Sequence, residues 1–293
     1  MPKERAGKPY NILPNHIFRL QKNNAEYRKA CYPKNMPMIT AKKDPHCELY
    51  FIFRKSDVLI SNDGELPNEA LLQKCFEQNV ARDWFSEPEY AYIAVLLEED
   101  CATPAGYKWI RLRDLFAQNF QYAKQCSRAL ALLNWRKNTR FCGCCGGPLI
   151  DDKYETARYC QLCGNVIFPR ISPAVIMLVH KGEKVLLARH SQRNTDVYTC
   201  LAGFIEHGET VEEAATREAM EEVGIKITNI RYESSQHWPY PDQLMIALHA
   251  DWQSGDINCD PDEIDDAQWF DVKNLPNTPK AGTVAYNLIH SAQ

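Results

Sequence analysis

Residues Gly203 to Ile225 read GFIEHGETVEEAATREAMEEVGI. At about 100° of rotation per residue, Val211, Ala214, Ala215 and Ala219 fall on one side of a helix. Glu218 and Glu222 lie inside that same apolar face, with Glu221 on its flank. Thr210 and Glu213 have capping-box spacing, which predicts a helix beginning at Val211. Gly224, free to take the left-handed conformation, predicts its end after Val223. An ordinary surface helix would turn its acids to the solvated side. Neighbouring carboxylates on a packing face are costly, because desolvation and mutual repulsion both oppose ionisation. A divalent cation removes both costs. Hard oxygen ligands on consecutive turns suit Mg²⁺ or Mn²⁺, whose other positions accept water and phosphate oxygens.

Apolar runs at 174–179 and 185–188, separated by the turn signal His180-Lys181-Gly182-Glu183, predict a hairpin before this helix. Strands are expected at 228–234, 243–251 and 267–271, with a closing helix after Gly282. The pattern is α/β. Between the first two of these strands lies SQHWPYPDQ, Ser235 to Gln243. Pro239 and Pro241 each lack a backbone donor, so this segment is expected to be neither helix nor central strand.

Upstream, Cys142-x-x-Cys145 and Cys160-x-x-Cys163 form two knuckles, each followed by glycine. Four thiolates at this spacing surround zinc tetrahedrally. One structural zinc per chain is expected, in a closed site that stabilises rather than catalyses. Cys144 sits inside the first knuckle, but only Cys142 and Cys145 have the two-residue spacing. Zinc ribbons sometimes touch nucleic acid, which leaves a binding module as a competing class of function.

Residues 1–47 read as a polar lead-in and 48–140 as an N-terminal α+β domain. In the latter, 48–61 resembles a hairpin around Lys55-Ser56-Asp57, 89–99 a strand, and 113–136 one long helix. The ribbon is assigned to 141–170 and the α/β domain to 171–293. Hydrophobic residues at 45% and charged residues at 25% are typical of soluble globular proteins. No apolar run approaches the roughly 20 residues of a spanning helix, so no membrane partner is expected and the cytoplasm is the expected location. The lead-in is rich in Lys and Arg, which keeps mitochondrial targeting open, but Glu4 and Glu26 interrupt it. A net charge of −4 argues against a generally basic nucleic-acid binder. Lys124, Arg128, Arg136, Lys137 and Arg140 are the local exception; they read as a solvated helix end or as a path for a nucleic-acid strand.

The pattern Gly203, five residues, Glu209, seven residues, Arg217-Glu218, two residues, Glu221-Glu222, one residue, Gly224-Ile225 resembles the Nudix box; only Ala219, where a larger aliphatic is usual, departs from it. With the ribbon before it and the array after it, the chain resembles the zinc-containing NADH pyrophosphatases, whose usual array is SQPWPFPxS. The resemblance implies a Nudix αβα sandwich preceded by a zinc ribbon and an N-terminal α+β domain. It also implies hydrolysis of the NADH pyrophosphate to AMP and reduced nicotinamide mononucleotide. Glu218, Glu221 and Glu222 would be catalytic metal ligands, joined by Glu263 and the main chain at Ala202. Arg217 and Glu209 would form a structural pair. Gln236, His237, Trp238, Pro239, Tyr240, Pro241, Asp242 and Gln243 would read the substrate, with Ala285 beside it. Phe204, and Phe168 from the second subunit of a homodimer, would sandwich adenine. His237 and Gln243 depart from the usual array, and Tyr240 for phenylalanine is a mild change; the first two leave open NADPH, NAD, ADP-ribose and NAD-capped RNA as substrates.

Overall fold

The computed structural model describes residues 48–291 except 88–89, 153, 192–195 and 241; the lead-in and Pro241 fall outside it. β1 (Leu49–Arg54) and β2 (Asp57–Ser61) form the expected hairpin, turning at Lys55 with φ 54°. α1 (Glu69–Glu77) follows, started by Asn68, whose side chain accepts from Leu71 N. β3 (Ala81–Glu87), β4 (Tyr92–Leu97) and β5 (Tyr107–Arg111) complete a sheet of order β3-β4-β1-β2-β5. One face buries Ile52, Leu59 and Val95 against Leu72 and Cys75 of α1. The other buries Phe51, Phe53 and Val58 under α2 (Leu112–Ala117) and α3 (Ala123–Asn138).

The single helix expected over 113–136 is therefore two. The chain breaks at Asn119, with φ 52°, and Phe120 N returns to Leu115 O. Apolar periodicity runs on across the break because both helices pack against one core. α1, β3 and β5 carry no periodic signal strong enough to announce them.

β6 (Leu149–Asp151), β7 (Arg158–Cys160) and β8 (Val166–Ile167) form a small antiparallel sheet around the cysteines. It is fastened to the end of α3. Asp151 Oδ1 lies 2.7 Å from both Arg136 Nη1 and Arg158 Nε, and Arg158 Nη1 donates to the carbonyls of Arg136 and Thr139. Arg136 is thus a half-buried strut, not a solvated helix end. Arg128 is likewise committed: its guanidinium grips Glu87 with two hydrogen bonds of 2.9 and 2.6 Å.

The remaining strands are β9 (Ser172–Lys181), β10 (Lys184–His190), β11 (Leu201–Phe204), β12 (Lys226–Trp238), β13 (Gln243–Ser254) and β14 (Ile264–Asp271). The sheet order is β12-β13-β9-β10-β14, with β11 alongside β9. β9 and β13 run parallel; the other pairs are antiparallel. Alternation gives the sheet two buried faces. Val175, Met177, Leu186, Leu201 and Leu248 pack under α4 (Val211–Val223), and Ile176, Leu178, Leu187 and Ala247 under α5 (Val284–His290). The result is the expected three-layer αβα sandwich. α4 meets the sheet through Ala214, Ala215 and Ala219, small enough to let its backbone approach closely. β12 continues four residues beyond the expected 228–234, through Trp238, so half of SQHWPYPDQ is strand. It is an edge strand, and Pro239 follows it where no ladder donor is needed.

Candidate active site and metal centres

α4 spans the predicted residues. Thr210 Oγ1 accepts from Glu213 N, the Glu213 carboxylate accepts from Thr210 N, and Gly224 closes the helix at φ 71°. Glu218 is 8% exposed and Glu222 only 1%, whereas Glu221 is exposed. Two acids therefore do lie on the packing face. Gly203 of β11 makes room for one of them: a Cβ there would meet the Glu218 carboxyl carbon at 1.9 Å.

Arg217 organises the cluster. It donates to Glu209 Oε1 and Oε2 at 2.6 and 3.0 Å, to Glu218 and Glu221 at 2.8 Å each, and to the Phe204 carbonyl at 2.8 Å. The planar fork suits this bidentate grip. Arg217 holds the Glu209 carboxyl down at about 2, helped by Glu206 N. Burial raises Glu218, and nearby Glu221 and Glu263 add to that while Arg217 opposes it. Glu263 is brought near by the loop before β14: Asn258 N and Asp260 N donate to the Val223 and Glu222 carbonyls at the end of α4. Buried carboxylate oxygens beside further acids are the donor type of a hard divalent cation, which suits Glu218 and Glu222; among the described residues, however, only the four cysteines bring three or more such ligand atoms within 4.8 Å of one another.

The rest of the site lies across the sheet. Phe204 pairs with Ala174, Ala174 with Met245, and Met245 with Gln236. Directly paired residues share a face, so these four side chains form one row on the α5 side, about 14 Å long at ~4.8 Å per strand. The Gln236 amide accepts from Val284 N and donates to the Gly282 carbonyl, fixing the first turn of α5, which carries Ala285. Ala202 and Ala285 share the hydrophobic cluster beneath. Trp238 follows on the same face, two residues along the strand. Gly203 faces the α4 side, so β11 has Glu218 against one face and carries Phe204 on the other.

The other array residues are placed differently. His237 alternates to the opposite face, where Nδ1 lies 2.8 Å from Ser127 Oγ of α3. Tyr240 packs into the N-terminal core and its hydroxyl accepts from Arg113 N. Pro239 is buried, Asp242 binds Ser172 through side chain and main chain, and Gln243 opens β13 opposite Trp238. Ser127 and Arg113 thus position the array, although nothing in the sequence singles them out. The opposite facing of Gln236 and His237 follows from alternation along β12. Phe168, between β8 and β9, is 55% exposed, and Phe204 is 51% exposed.

In the ribbon, the sulfurs of Cys142, Cys145, Cys160 and Cys163 all lie within 4.8 Å of one another. The Cys142–Cys163 and Cys145–Cys160 separations are 3.6 and 3.4 Å. Tetrahedral zinc at about 2.3 Å per Zn–S bond would hold sulfurs roughly 3.8 Å apart. Backbone donors from Cys145 and Cys144 lower the Cys142 thiol to about 6, and one from Cys163 lowers Cys160, whereas at Cys145 and Cys163 backbone donors from Gly147 and Asn165 are outweighed by the neighbouring sulfurs, which raise both thiols. Gly146 and Gly164 supply the left-handed turns, at φ 72° and 76°. Cys144 is outside the cluster.

A NUDIX domain model matches residues 169–291. The chain belongs to the Nudix hydrolases. Within them it is similar to proteins named NAD-capped RNA hydrolase NudC. The one from Pseudomonas putida strain W619 is 39% identical over 71% of this chain and 80% of its own. That of Pectobacterium atrosepticum is 38% identical over 77% and 85%. A solved Nudix hydrolase from Nitrosomonas europaea aligns with 53% of this chain and 88% of its own at a TM-score of 0.43 and 23% identity. Among the described residues, no helix is long and apolar enough to cross a membrane.

Proposed function

We propose that the chain hydrolyses the pyrophosphate of NAD-type dinucleotides: reduced NAD to AMP and reduced nicotinamide mononucleotide, and NAD at the 5′ end of RNA. The observation that carries this reading is that β11 packs buried Glu218 against Gly203 and begins, at the next residue, a row running from Phe204 to Gln236. One end holds pyrophosphate chemistry and the other a rigid polar reader.

Glu218, Glu222, Glu221 and Glu263 would hold Mg²⁺ or Mn²⁺, which when bound neutralises phosphate charge and lowers the pKa of water. Arg217 keeps Glu218 and Glu221 in register and ties them to the Phe204 carbonyl. Gln236 and Trp238 orient the dinucleotide along the row. Water adds to one phosphorus, and the bridging oxygen leaves with the other phosphate. Phe204 offers an exposed ring for a base; Phe168 of a second subunit supplies the opposite ring, which the exposure of both supports. Zinc in the ribbon is structural. The names of the relatives support capped RNA as a substrate, and the structure-independent chemistry extends to NADPH and ADP-ribose.

A substrate panel decides. AMP release from NADH, NAD, NADPH and ADP-ribose, and cap removal from NAD-capped RNA, are measured with Mg²⁺ and with Mn²⁺. Inertness toward all of them would refute the assignment. Glu222→Gln should lower turnover by roughly a thousandfold or more, by loss of a ligand to the catalytic ion, and leave the melting temperature nearly unchanged. Undiminished hydrolysis in that variant would refute its role.

A further inference from the structure

Lys55 at the β1–β2 turn, Arg82 on β3 and Lys137 near the end of α3 gather around a cavity of about 330 Å³, walled on one side by Pro239 and Tyr240. Glu99 is the acid in its lining, with Lys55 Nζ 3.0 Å from Oε2. Lys55 foremost, then Arg82 and Lys137, hold the Glu99 carboxyl below its ordinary range. Three cations thus converge on one carboxylate, in a protein whose net charge is −4. Arg128 and Arg136 of the same helix are matched by Glu87 and Asp151, whereas here positive charge is in excess. Gathering like charges from a hairpin, a strand and a helix end is unfavourable unless an anion joins them. Ser56 and Asn134 add neutral polar groups, and Leu97 and Tyr240 an apolar wall. Cations that line one cavity beside an apolar wall match a phosphate carrying an organic group.

We propose that this cavity binds a phosphate-bearing ligand of nucleotide size, either a free mononucleotide or a phosphate of a nucleic-acid chain, at a site separate from the glutamates of α4. Its occupant rests on the turn that ends the array, because Tyr240 packs edge-on against Trp238 with ring centroids 5.2 Å apart. The site does not depend on which dinucleotide is cleaved.

The test is equilibrium binding to the full chain without added divalent metal, using orthophosphate, AMP and a short 5′-phosphorylated RNA as probes. Combined Lys55→Gln, Arg82→Gln and Lys137→Gln should weaken binding about tenfold or more, as expected for lost charge-assisted contacts. Glu99→Gln should tighten it by removing the competing anion, a gain that misfolding cannot produce. Binding of orthophosphate and AMP identifies a small-molecule site; binding of the RNA alone identifies a chain phosphate. Wild-type protein that binds none of the three at millimolar concentration, or two variants that both bind as wild type does, would overturn the proposal.

Discussion

Gly203 has its identity dictated by a neighbour in space. The carboxyl of Glu218 occupies the volume that any Cβ would fill, at 1.9 Å. Gly203→Ala should therefore push the carboxylate off its position between Gly203 and Arg217. A displacement of about 1 Å in a catalytic group costs on the order of a hundredfold in rate. The expected result is a kcat reduced at least that far in NADH hydrolysis, with a smaller relative change in thermal stability. An alanine variant that keeps wild-type turnover would mean that Glu218 is not held there for chemistry. Arg217 belongs to the same local logic: five hydrogen bonds from one guanidinium fix three acids and a carbonyl.

β12 is the element that joins reading to architecture. Its alternation sends Gln236 and Trp238 toward α5 and His237 toward α3, so one strand both contributes to the row that begins at Phe204 and docks against the N-terminal domain. Ser127 is 2% exposed, and removing its hydroxyl leaves His237 Nδ1 without that partner. Ser127→Ala should cost about 1–3 kcal/mol, measured by urea unfolding. pH acts on the same contact. Burial first, then Arg128, lowers the His237 pKa below 6.5, with Asp242 opposing. His180 and His249, hydrogen-bonded to each other at 2.8 Å, are lowered by burial as well. The unfolded chain binds these protons more readily than the folded one. Stability contributed by neutral histidine is thus complete above pH 6.5 and declines as pH falls toward the folded-state values. His237→Gln should flatten part of that decline in unfolding curves taken between about pH 7.5 and about pH 5; an unchanged slope would assign it to the other histidines.

At the scale of the molecule, α3 is the shared support. It reaches the N-terminal sheet through Arg128 and Glu87, the ribbon through Arg136 and Asp151, and β12 through Ser127 and His237. Thr156 of the ribbon also donates to Glu87. The ribbon and the N-terminal domain thereby hold the array from behind. Cys160→Ser should release the ribbon metal, read as zinc per chain by elemental analysis, and lower the melting temperature. Because Asp151 and Arg158 would lose their platform, KM should change more than kcat. Zinc retained at one per chain in that variant would contradict the four-cysteine site.

The residues that carry chemistry were legible because their signals are local. The helix phase of Glu218 and Glu222, the Thr210–Glu213 box, Gly224 and the four cysteines each follow from spacing within one turn or one knuckle. The sequence by itself determined the reaction class, the ribbon and the αβα order of the elements. It misjudged the helix over 113–136, the reach of β12 and the basic residues of α3, because backbone breaks and charge partners depend on the surface packed opposite. The tertiary structure alone decided that His237 meets Ser127, 110 positions away, and that Arg128 meets Glu87, 41 positions away. It alone formed the cavity among Lys55, Arg82 and Lys137. The physical reason is that periodicity fixes which face of an element is apolar, whereas register and docking fix what that face meets.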